Sequence, residues 1–366
     1  MTSANMEVLK QLPTQDYVRL WSSPSRYVMA PPSKDALPVH TMASAASTSA
    51  EDNAASSSAS DNPSQASPSG SVTSLESSVS KTLHDQPHRP APFPRIAPQP
   101  SWKLPANKSY KDIHIRIYSS FIQIILTPST CGLRNSINAN VCDELIDVLK
   151  DVENTECRAV LLTGLGGTFC QGVDLTTLTH EGSADKQKRA AELLGNAIKR
   201  LIKQLLASSK VLVAAVNGKA VGFGVTMLPY FDMVYINDKA EFSMDYARIG
   251  QIPDGFASQT NLAQCHEMLF LGHTLTASMM TQTAGIVTEV VWPAKFLETI
   301  VPKMESLEFM NAAGLKYVKQ ALKKSLRSRV QAIMDEETKS LIAIWSSTDF
   351  AKNLRLYLKS SHLVFQ

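Results

Sequence analysis

The chain has 366 residues, and its 36 Lys and Arg residues nearly balance its 33 Asp and Glu residues, for a formal net charge of +3. This balance gives no general reason to expect binding to nucleic acid or to a membrane surface. The five cysteines are scattered and show no Cys-x-x-Cys spacing. They therefore predict free thiols in a reducing compartment and no zinc site.

The first part of the chain, Met1–Asn107, is dominated by Ser-rich and then Pro-rich segments. Such segments cannot bury enough apolar surface to offset the entropy of ordering them, so we predict a disordered arm. Residues 108–366 remain for one globular domain, which is long enough to form a full core without disulfides or metals.

The domain begins with a predicted hairpin, in which Ile113, Ile115 and Ile117 alternate with polar residues ahead of the apolar run Phe121–Leu126. The later apolar runs are short and unbroken, as in buried parallel strands, and they alternate with helical patterns. The predicted elements are a helix at Asn138–Asp151, a strand at Ala159–Thr163, a glycine-containing loop through Phe169–Asp174, a helix at Asp185–Ala207, and strands at Val211–Val216 and Phe231–Ile236.

Beyond Gln259 the pattern is almost wholly helical, and its last helices are predicted at Ser328–Ser346 and Asp349–Lys359. Strands that alternate with helices predict a parallel sheet with crossover helices. The predicted fold class is therefore α/β with a helical C-terminal part.

One turn in this pattern is a candidate binding site, because Gly222 and Gly224 flank Phe223 between a buried strand and a helix start. Glycine permits positive φ and close approach of a ligand, so such a turn can present backbone amides to an anion. From spacing alone, an ordinary strand–turn–helix crossover is the simpler interpretation.

Several motifs taken together extend this interpretation. They are Arg134-Asn135, Gln171-Gly-Val-Asp-Leu175, Val216-Asn-Gly-Lys-Ala-Val-Gly-Phe-Gly224, Asp232-Met-Val-Tyr235 and Gly250-Gln-Ile-Pro-Asp-Gly255. In these motifs the chain resembles the crotonase (enoyl-CoA hydratase/isomerase) superfamily over Tyr110–Lys359. The resemblance implies a ClpP/crotonase-like fold, with coenzyme A or acyl-CoA as ligand, no permanently bound cofactor and no metal.

Two branches of the superfamily are most similar to this chain. The Gly-Gln-x-Pro-Asp-Gly stretch and the late Ile344-Trp-Ser-Ser347 look most like the C-terminal domain of chromodomain Y-like proteins, and the peroxisomal enoyl-CoA delta isomerases come next. The first branch implies a nuclear corepressor or scaffold that binds histone deacetylases, and we expect this role. The alternative is an active isomerase of the cytoplasm or peroxisome. The resemblance also implies a homotrimer or hexamer.

The resemblance assigns an oxyanion hole to the backbone amides of Val173 and Phe223, held in place by Gly172, Gly222 and Gly224. These amides would polarise a thioester carbonyl and stabilise the enolate formed from it.

Other positions would contact coenzyme A itself. Arg134 and Asn135 match the segment that contacts its adenine end, and Lys316, Lys319 and Lys323 could meet its phosphates. The spacing of these lysines is more simply explained by a solvated helix face.

The acid–base groups of the family are depleted in this chain. A hydratase needs two carboxylates, and the matching positions hold Thr226 and Tyr246, which are inefficient bases at neutral pH. A delta isomerase needs one carboxylate, and its position holds Asp254. Because Pro-Asp-Gly is also a turn signature, a catalytic and a turn role for Asp254 both stay open. Asp245 is a second candidate.

Overall fold

The computed structural model describes residues 102–105, 108–128, 135–179 and 183–360, apart from the side chains of 264 and 360. Nearly all of the predicted arm, together with Arg134, lies outside these ranges. Trp102 belongs to the arm by sequence, yet it is buried and its Nε1 donates a hydrogen bond of 2.8 Å to the carbonyl of Ser119. Packing onto the domain therefore begins by Trp102, ahead of the predicted boundary at residue 107.

The strands are β1 (Ile113–Ile117), β2 (Phe121–Leu126), β3 (Ala159–Gly164), β4 (Thr168–Cys170), β5 (Val211–Val216), β6 (Lys219–Val221), β7 (Met233–Asn237), β8 (Glu241–Ser243), β9 (Leu275–Thr276) and β10 (Glu289–Val291). The helices are α1 (Ala139–Glu153), α2 (Ala184–Ala207), α3 (Phe223–Thr226), α4 (Tyr246–Ile249), α5 (His266–Leu271), α6 (Ala277–Ala284), α7 (Phe296–Glu305), α8 (Ala312–Trp345) and α9 (Thr348–Ser360). Short 3₁₀ helices lie at Leu175–Leu178, Leu228–Tyr230, Ala257–Gln259, Asn261–Gln264, Pro293–Lys295 and Ser306–Phe309.

The larger sheet has the strand order β1-β2-β3-β5-β7-β10. The hairpin β1–β2 is antiparallel, as predicted, and every other pair in this sheet is parallel. The register aligns Ile124, Leu162, Ala214 and Val234 across four neighbouring strands. The predicted parallel sheet with crossover helices is confirmed.

A second sheet, in the order β4-β6-β8-β9, was not predicted. It uses strands of two or three residues, and β4 occupies Thr168–Cys170, where the sequence predicts a loop. Its parallel pairing brings the segment after β4 beside the segment after β6. Those two segments hold the glycine turns singled out by the sequence.

The larger sheet is buried on both faces. On β5, Leu212, Ala214 and Val216 belong to the main core, which α1 and α2 cover. Val213 and Ala215 point to a smaller core that also contains Phe296, Ile300 and Met304 of α7. This double burial explains why β5 is apolar at every position.

The C-terminal helices differ from their predicted bounds. Helix α8 begins at Ala312, so its predicted start at Ser328 is wrong. The side chain of Asn311 caps the helix by accepting a hydrogen bond of 2.9 Å from the Gly314 amide. Helix α8 packs along α2, and α9 packs on α4. Within the described ranges, none of the helices is both long and apolar enough to cross a bilayer.

Candidate functional site

The two glycine turns pack directly against each other. Gly172 has φ of 82°, and a Cβ placed there would lie 2.8 Å from the Val221 carbonyl oxygen and 3.4 Å from the Phe223 nitrogen. A Cβ on Gly224 would lie 2.7 Å from the Cys170 carbonyl oxygen. The 2.8 and 2.7 Å distances are closer than a Cβ allows, so glycine at both positions is what lets the two turns meet.

The amides of Val173 and Phe223 lie on these adjoining turns. Val173 pairs with Ile137 in an isolated parallel β-bridge. The hydrogen bonds of this bridge involve the residues on either side of Val173: the Ile137 amide donates to the Gly172 carbonyl, and the Asp174 amide donates to the Ile137 carbonyl. Phe223 is the first residue of α3, which follows Gly222. Among the described residues, no hydrogen bond uses either of the two amides as its donor. They are therefore available to an oxygen of a ligand, although their role as an oxyanion hole stays a prediction.

A buried hydrogen-bonded cluster joins the three positions that the sequence picked out for acid–base chemistry. Thr226 Oγ1 donates to Asp254 Oδ1 over 2.7 Å, and the Tyr246 hydroxyl donates to the same oxygen over 2.6 Å. The exposed fractions of Thr226, Tyr246 and Asp254 are 0%, 4% and 3%. The Asp254 side chain thus points inward, toward Thr226 and Tyr246, the two positions that the sequence analysis matched to the carboxylates of hydratases.

The protonation of this cluster follows from its burial. Desolvation raises the pKa of Asp254 to about 6, against the opposing effect of the hydrogen bonds from Tyr246 and Thr226. Burial, and then the charge of Asp254, raise the pKa of Tyr246 well above its ordinary value of 10.0. Tyr246 is therefore a neutral donor, whereas Asp254 can gain and lose a proton near neutral pH.

The cluster lies beside the turn that presents the Phe223 amide. A Cβ on Gly255 would lie 2.7 Å from Thr226 Oγ1 and 3.3 Å from the Phe223 ring. A Cβ on Gly222 would lie 3.6 Å from the Tyr246 hydroxyl. The acid–base group and the available amides therefore belong to one site.

The C-terminal helices hold the loop that carries Asp254. Trp345 Nε1 donates to Gln251 Oε1 over 2.8 Å, and Gln187 Nε2 donates to the Trp345 carbonyl over 2.7 Å. The Tyr230 hydroxyl donates to the Gly255 carbonyl over 2.5 Å. The sequence offered no signal for these supports, because their partners lie on elements far apart in the chain. The hydrogen bond from Trp345 to Gln251 thus links two of the motifs behind the resemblance, Gly250–Gly255 and Ile344–Ser347.

Asp245, the second acid–base candidate, lies outside the cluster. Its carboxylate accepts a hydrogen bond of 2.6 Å from the Tyr357 hydroxyl of α9 and pairs with Arg248 at 3.5 Å. These partners hold Asp245 against the C-terminal helix, so the structure favours Asp254 as the acid–base group.

Of the two residues expected to contact the adenine end of coenzyme A, the structure describes Asn135. Asn135 is buried with φ of 52°, and its Nδ2 donates to the carbonyls of Leu165 and Thr168 over 2.9 and 2.7 Å. The Asn135 side chain therefore fastens the glycine loop, and its contact with coenzyme A stays a prediction, as does that of Arg134.

The interpretation of the α8 lysines as a solvated face is wrong for two of them. Lys319 is 5% exposed, and its Nζ lies 2.8 Å from Asp232 Oδ2. Lys323 donates to the carbonyl of Phe231 over 2.7 Å and lies 4.0 Å from Asp232 Oδ1. Asp232 precedes β7, so these lysines lie at the amino ends of the parallel strands, whereas the glycine turns follow the carboxyl ends.

Comparison with known proteins agrees with the resemblance found in the sequence. The family model described as enoyl-CoA hydratase/isomerase matches residues 117–366. The chain is 28% identical to a chromodomain Y-like protein of Mus musculus over 294 residues, which cover 79% of this chain and 49% of that protein. It is 31% identical to enoyl-CoA delta isomerase 2 of Homo sapiens over 224 residues, which cover 59% of this chain and 56% of that protein. The chain thus spans about half the length of the curated relatives it matches.

Solved structures agree on the fold. An enoyl-CoA hydratase from Bacillus halodurans superposes with a TM-score of 0.61 at 21% identity, covering 67% of this chain and 100% of that one. An enoyl-CoA hydratase/isomerase from Mycobacterium paratuberculosis superposes with a TM-score of 0.59 at 19% identity, covering 70% of this chain and 100% of that one. The predicted crotonase fold is confirmed.

Proposed function

The chain belongs to the enoyl-CoA hydratase/isomerase family, and from that premise we propose that it is an enoyl-CoA isomerase with Asp254 as its single acid–base group. One observation carries the proposal. The Asp254 carboxylate is buried beside the turn that presents the Phe223 amide, and the hydroxyls of Thr226 and Tyr246 hold one of its oxygens.

The proposed reaction moves one proton and one double bond. Asp254 removes a proton from the α-carbon of a 3-enoyl-CoA, and the electrons of that C–H bond pass into a dienolate. The amides of Val173 and Phe223 stabilise the charge on its thioester oxygen. Asp254 then returns the proton to the γ-carbon, which gives 2-enoyl-CoA. A carboxyl with a pKa of about 6 suits both steps, because an efficient acid–base group titrates near the working pH.

Hydration of a double bond is a poorer fit to the same site. That reaction uses one carboxylate to activate water and another to protonate carbon. The cluster of Thr226, Tyr246 and Asp254 contains one carboxylate, that of Asp254. Tyr246 stays neutral because burial raises its pKa. We therefore expect crotonyl-CoA hydration to be absent or very weak.

The test compares Asp254→Asn with Asp245→Asn, a matched variant of the neighbouring carboxylate outside the cluster. With a 3-enoyl-CoA substrate, we expect Asp254→Asn to lower kcat by about 10²- to 10⁴-fold, the usual contribution of a general acid–base group. Asp245→Asn should retain activity within about threefold. No turnover by the unaltered chain, or an Asp254→Asn variant that keeps its rate, would overturn the proposal.

A second candidate function is a nuclear corepressor or scaffold whose acyl-CoA pocket has lost turnover. The matches to chromodomain Y-like proteins support it. In this case acyl-CoA raises the melting temperature without being converted, the protein localises to the nucleus, and histone deacetylases are recovered with it. Turnover of 3-enoyl-CoA together with a cytoplasmic or peroxisomal location would favour the isomerase.

Assembly into a trimer or hexamer is part of either proposal. Its support is the exposed apolar surface near and on the C-terminal helices, where Trp292, Phe309 and Leu322 are 72%, 77% and 76% exposed. Light scattering on the purified chain measures the oligomeric state directly, and a monomeric mass at micromolar concentration would count against assembly.

A further inference from the structure

A polar cavity lies at the amino ends of the central strands, away from the Asp254 site. Its volume is about 370 Å³. It is lined by the end of α1 at Glu153, by Ser208 and Ser209 just before β5, and by Lys316, Lys319 and Arg327 of α8. Three elements therefore contribute side chains that can bind a ligand.

The cavity is separate from the glycine turns. Strands β3 and β5 begin close after the cavity-lining segments, whereas the turns with Val173 and Phe223 lie beyond the carboxyl ends of these strands. A six-residue strand is about 20 Å long. An acyl thioester bound at the turns would therefore not occupy this cavity.

Three cations and one carboxylate line the cavity, and one of the cations, Lys319, is paired with Asp232 outside the lining. The carboxylate of Glu153 is already engaged, because it accepts hydrogen bonds from Ser208 Oγ at 2.6 Å and Ser209 Oγ at 2.5 Å. Within the described ranges Lys316 has no ion-pair partner. Arg327 donates from Nη2 to the Leu206 carbonyl at 2.5 Å, and its buried Nε has no hydrogen-bond partner among the described residues.

Lys210, just before β5, interacts electrostatically with the lining residues Glu153 and Lys316. Burial lowers the pKa of Lys210, the electrostatic effects of Cys157 and Glu153 oppose this, and the like charges of Arg158 and Lys316 add to the lowering. Burial also lowers the pKa of Lys319, where Asp232 acts in the opposite direction and Arg327 adds to the lowering. Cations that repel one another around a polar cavity gain stability when an anion enters it.

We propose that this cavity binds a small phosphorylated anion through Lys316, Lys319 and Arg327. Its volume lies within the range of small-molecule sites, about 300–1,000 Å³. The ammonium of Lys316 and the guanidinium of Arg327 are the kind of donors that phosphate groups attract, whereas the hydroxyls of Ser208 and Ser209 already donate to Glu153. The site is independent of the Asp254 chemistry, so it stands whether or not the chain isomerises enoyl-CoA.

The test is isothermal titration calorimetry on the full chain, with inorganic pyrophosphate as the probe. We expect one site per chain, an affinity that falls as salt is raised, and binding that persists when coenzyme A is saturating. Lys316→Glu should weaken the affinity at least tenfold. Arg329→Glu, an exposed position on the opposite side of the same helix, is the matched control and should change it less than twofold.

Three results would overturn the proposal. They are the absence of binding at millimolar pyrophosphate, unchanged binding in Lys316→Glu, and displacement of pyrophosphate by coenzyme A. Lys316 is exposed, so the variant should fold. Lys316→Gln, which removes the charge without reversing it, checks the result and should show a smaller loss in the same direction. Asp254→Asn should bind pyrophosphate as the unaltered chain does, which separates this site from the proposed catalytic one.

Discussion

Two carboxylates, the buried Asp254 and the partly buried Asp232, lie at opposite ends of the parallel strands, and their partners differ in charge. Asp254 accepts hydrogen bonds from the hydroxyls of Thr226 and Tyr246. Asp232 accepts one from the Leu212 amide at 2.8 Å and pairs with the ammonium groups of Lys319 and Lys323. The ammonium partners of Asp232 tie helix α8 to the sheet. Neutral hydroxyl partners leave the carboxylate able to change its protonation, which chemistry requires.

The largest effect should follow from breaking the ammonium pair. Lys319→Met removes the closer cation from Asp232 and leaves a largely buried carboxylate with Lys323, at 4.0 Å, as its remaining ammonium partner among the described residues. We expect the free energy of unfolding to fall by about 3–5 kcal/mol, the usual consequence of breaking a buried ion pair. Urea denaturation measures this, with the exposed Lys324→Met as the control, which should change stability by less than about 0.5 kcal/mol. Equal losses in the two variants would show that the pair does not anchor α8.

The next effect is a dependence of stability on pH, which we expect Asp254 to cause. Folding raises the pKa of Asp254 from 3.8 to about 6, so between these values the folded chain holds a proton that the unfolded chain has lost. The resulting stabilisation is fully present below about pH 4 and is lost as the pH rises through 6, a change of about 2–3 kcal/mol. Asp254→Asn lacks this dependence. The difference in unfolding free energy between the two proteins should therefore shift by that amount from pH 4 to pH 7, and a constant difference would refute it.

The smallest effect concerns the hydroxyl donors. Tyr246→Phe removes one hydrogen bond to the charged form of Asp254, worth about 1–2 kcal/mol. The pKa of Asp254 should rise above 6. The acidic limb of the pH profile of kcat/KM for the 3-enoyl-CoA reaction should then move to higher pH. Tyr357→Phe removes the analogous donor from Asp245 and should leave the profile in place, so coincident profiles for all three proteins would argue against a positioning role for Tyr246.

Sequence patterns predicted the larger sheet except for β10, which lies in the stretch beyond Gln259 that was wrongly predicted as almost wholly helical. The alternation in β1 and the unbroken apolar runs of β3 and β5 reflect burial on one or both faces. The second sheet escaped prediction because strands as short as Lys219–Val221 have too few residues to show a period. The start of α8 was missed because its first half mixes lysines with exposed apolar residues such as Tyr317 and Leu322, which hides the helical period.

The candidate site was predictable in its residues and not in its contacts. The family resemblance pointed to Thr226, Tyr246 and Asp254, and the structure brings them together. Which oxygen of Asp254 the hydroxyls share depends on tertiary packing, and no spacing in the sequence encodes it. The same limit applies to Lys319, whose burial depends on Asp232 on a distant segment of the chain.

The hydrogen bond between Trp345 and Gln251 has a consequence for the order in which the protein is made. The Asp254 loop is tied to a helix that ends near the end of the domain, and Trp345 is itself held by Gln187 from the first half of the domain. A nascent chain that has left the ribosome only as far as α7 can form the larger sheet but leaves these donors and acceptors unmatched. The acid–base loop is therefore completed late, and a chain that stops before α8 contains the strands of the larger sheet but lacks Trp345, the donor to Gln251.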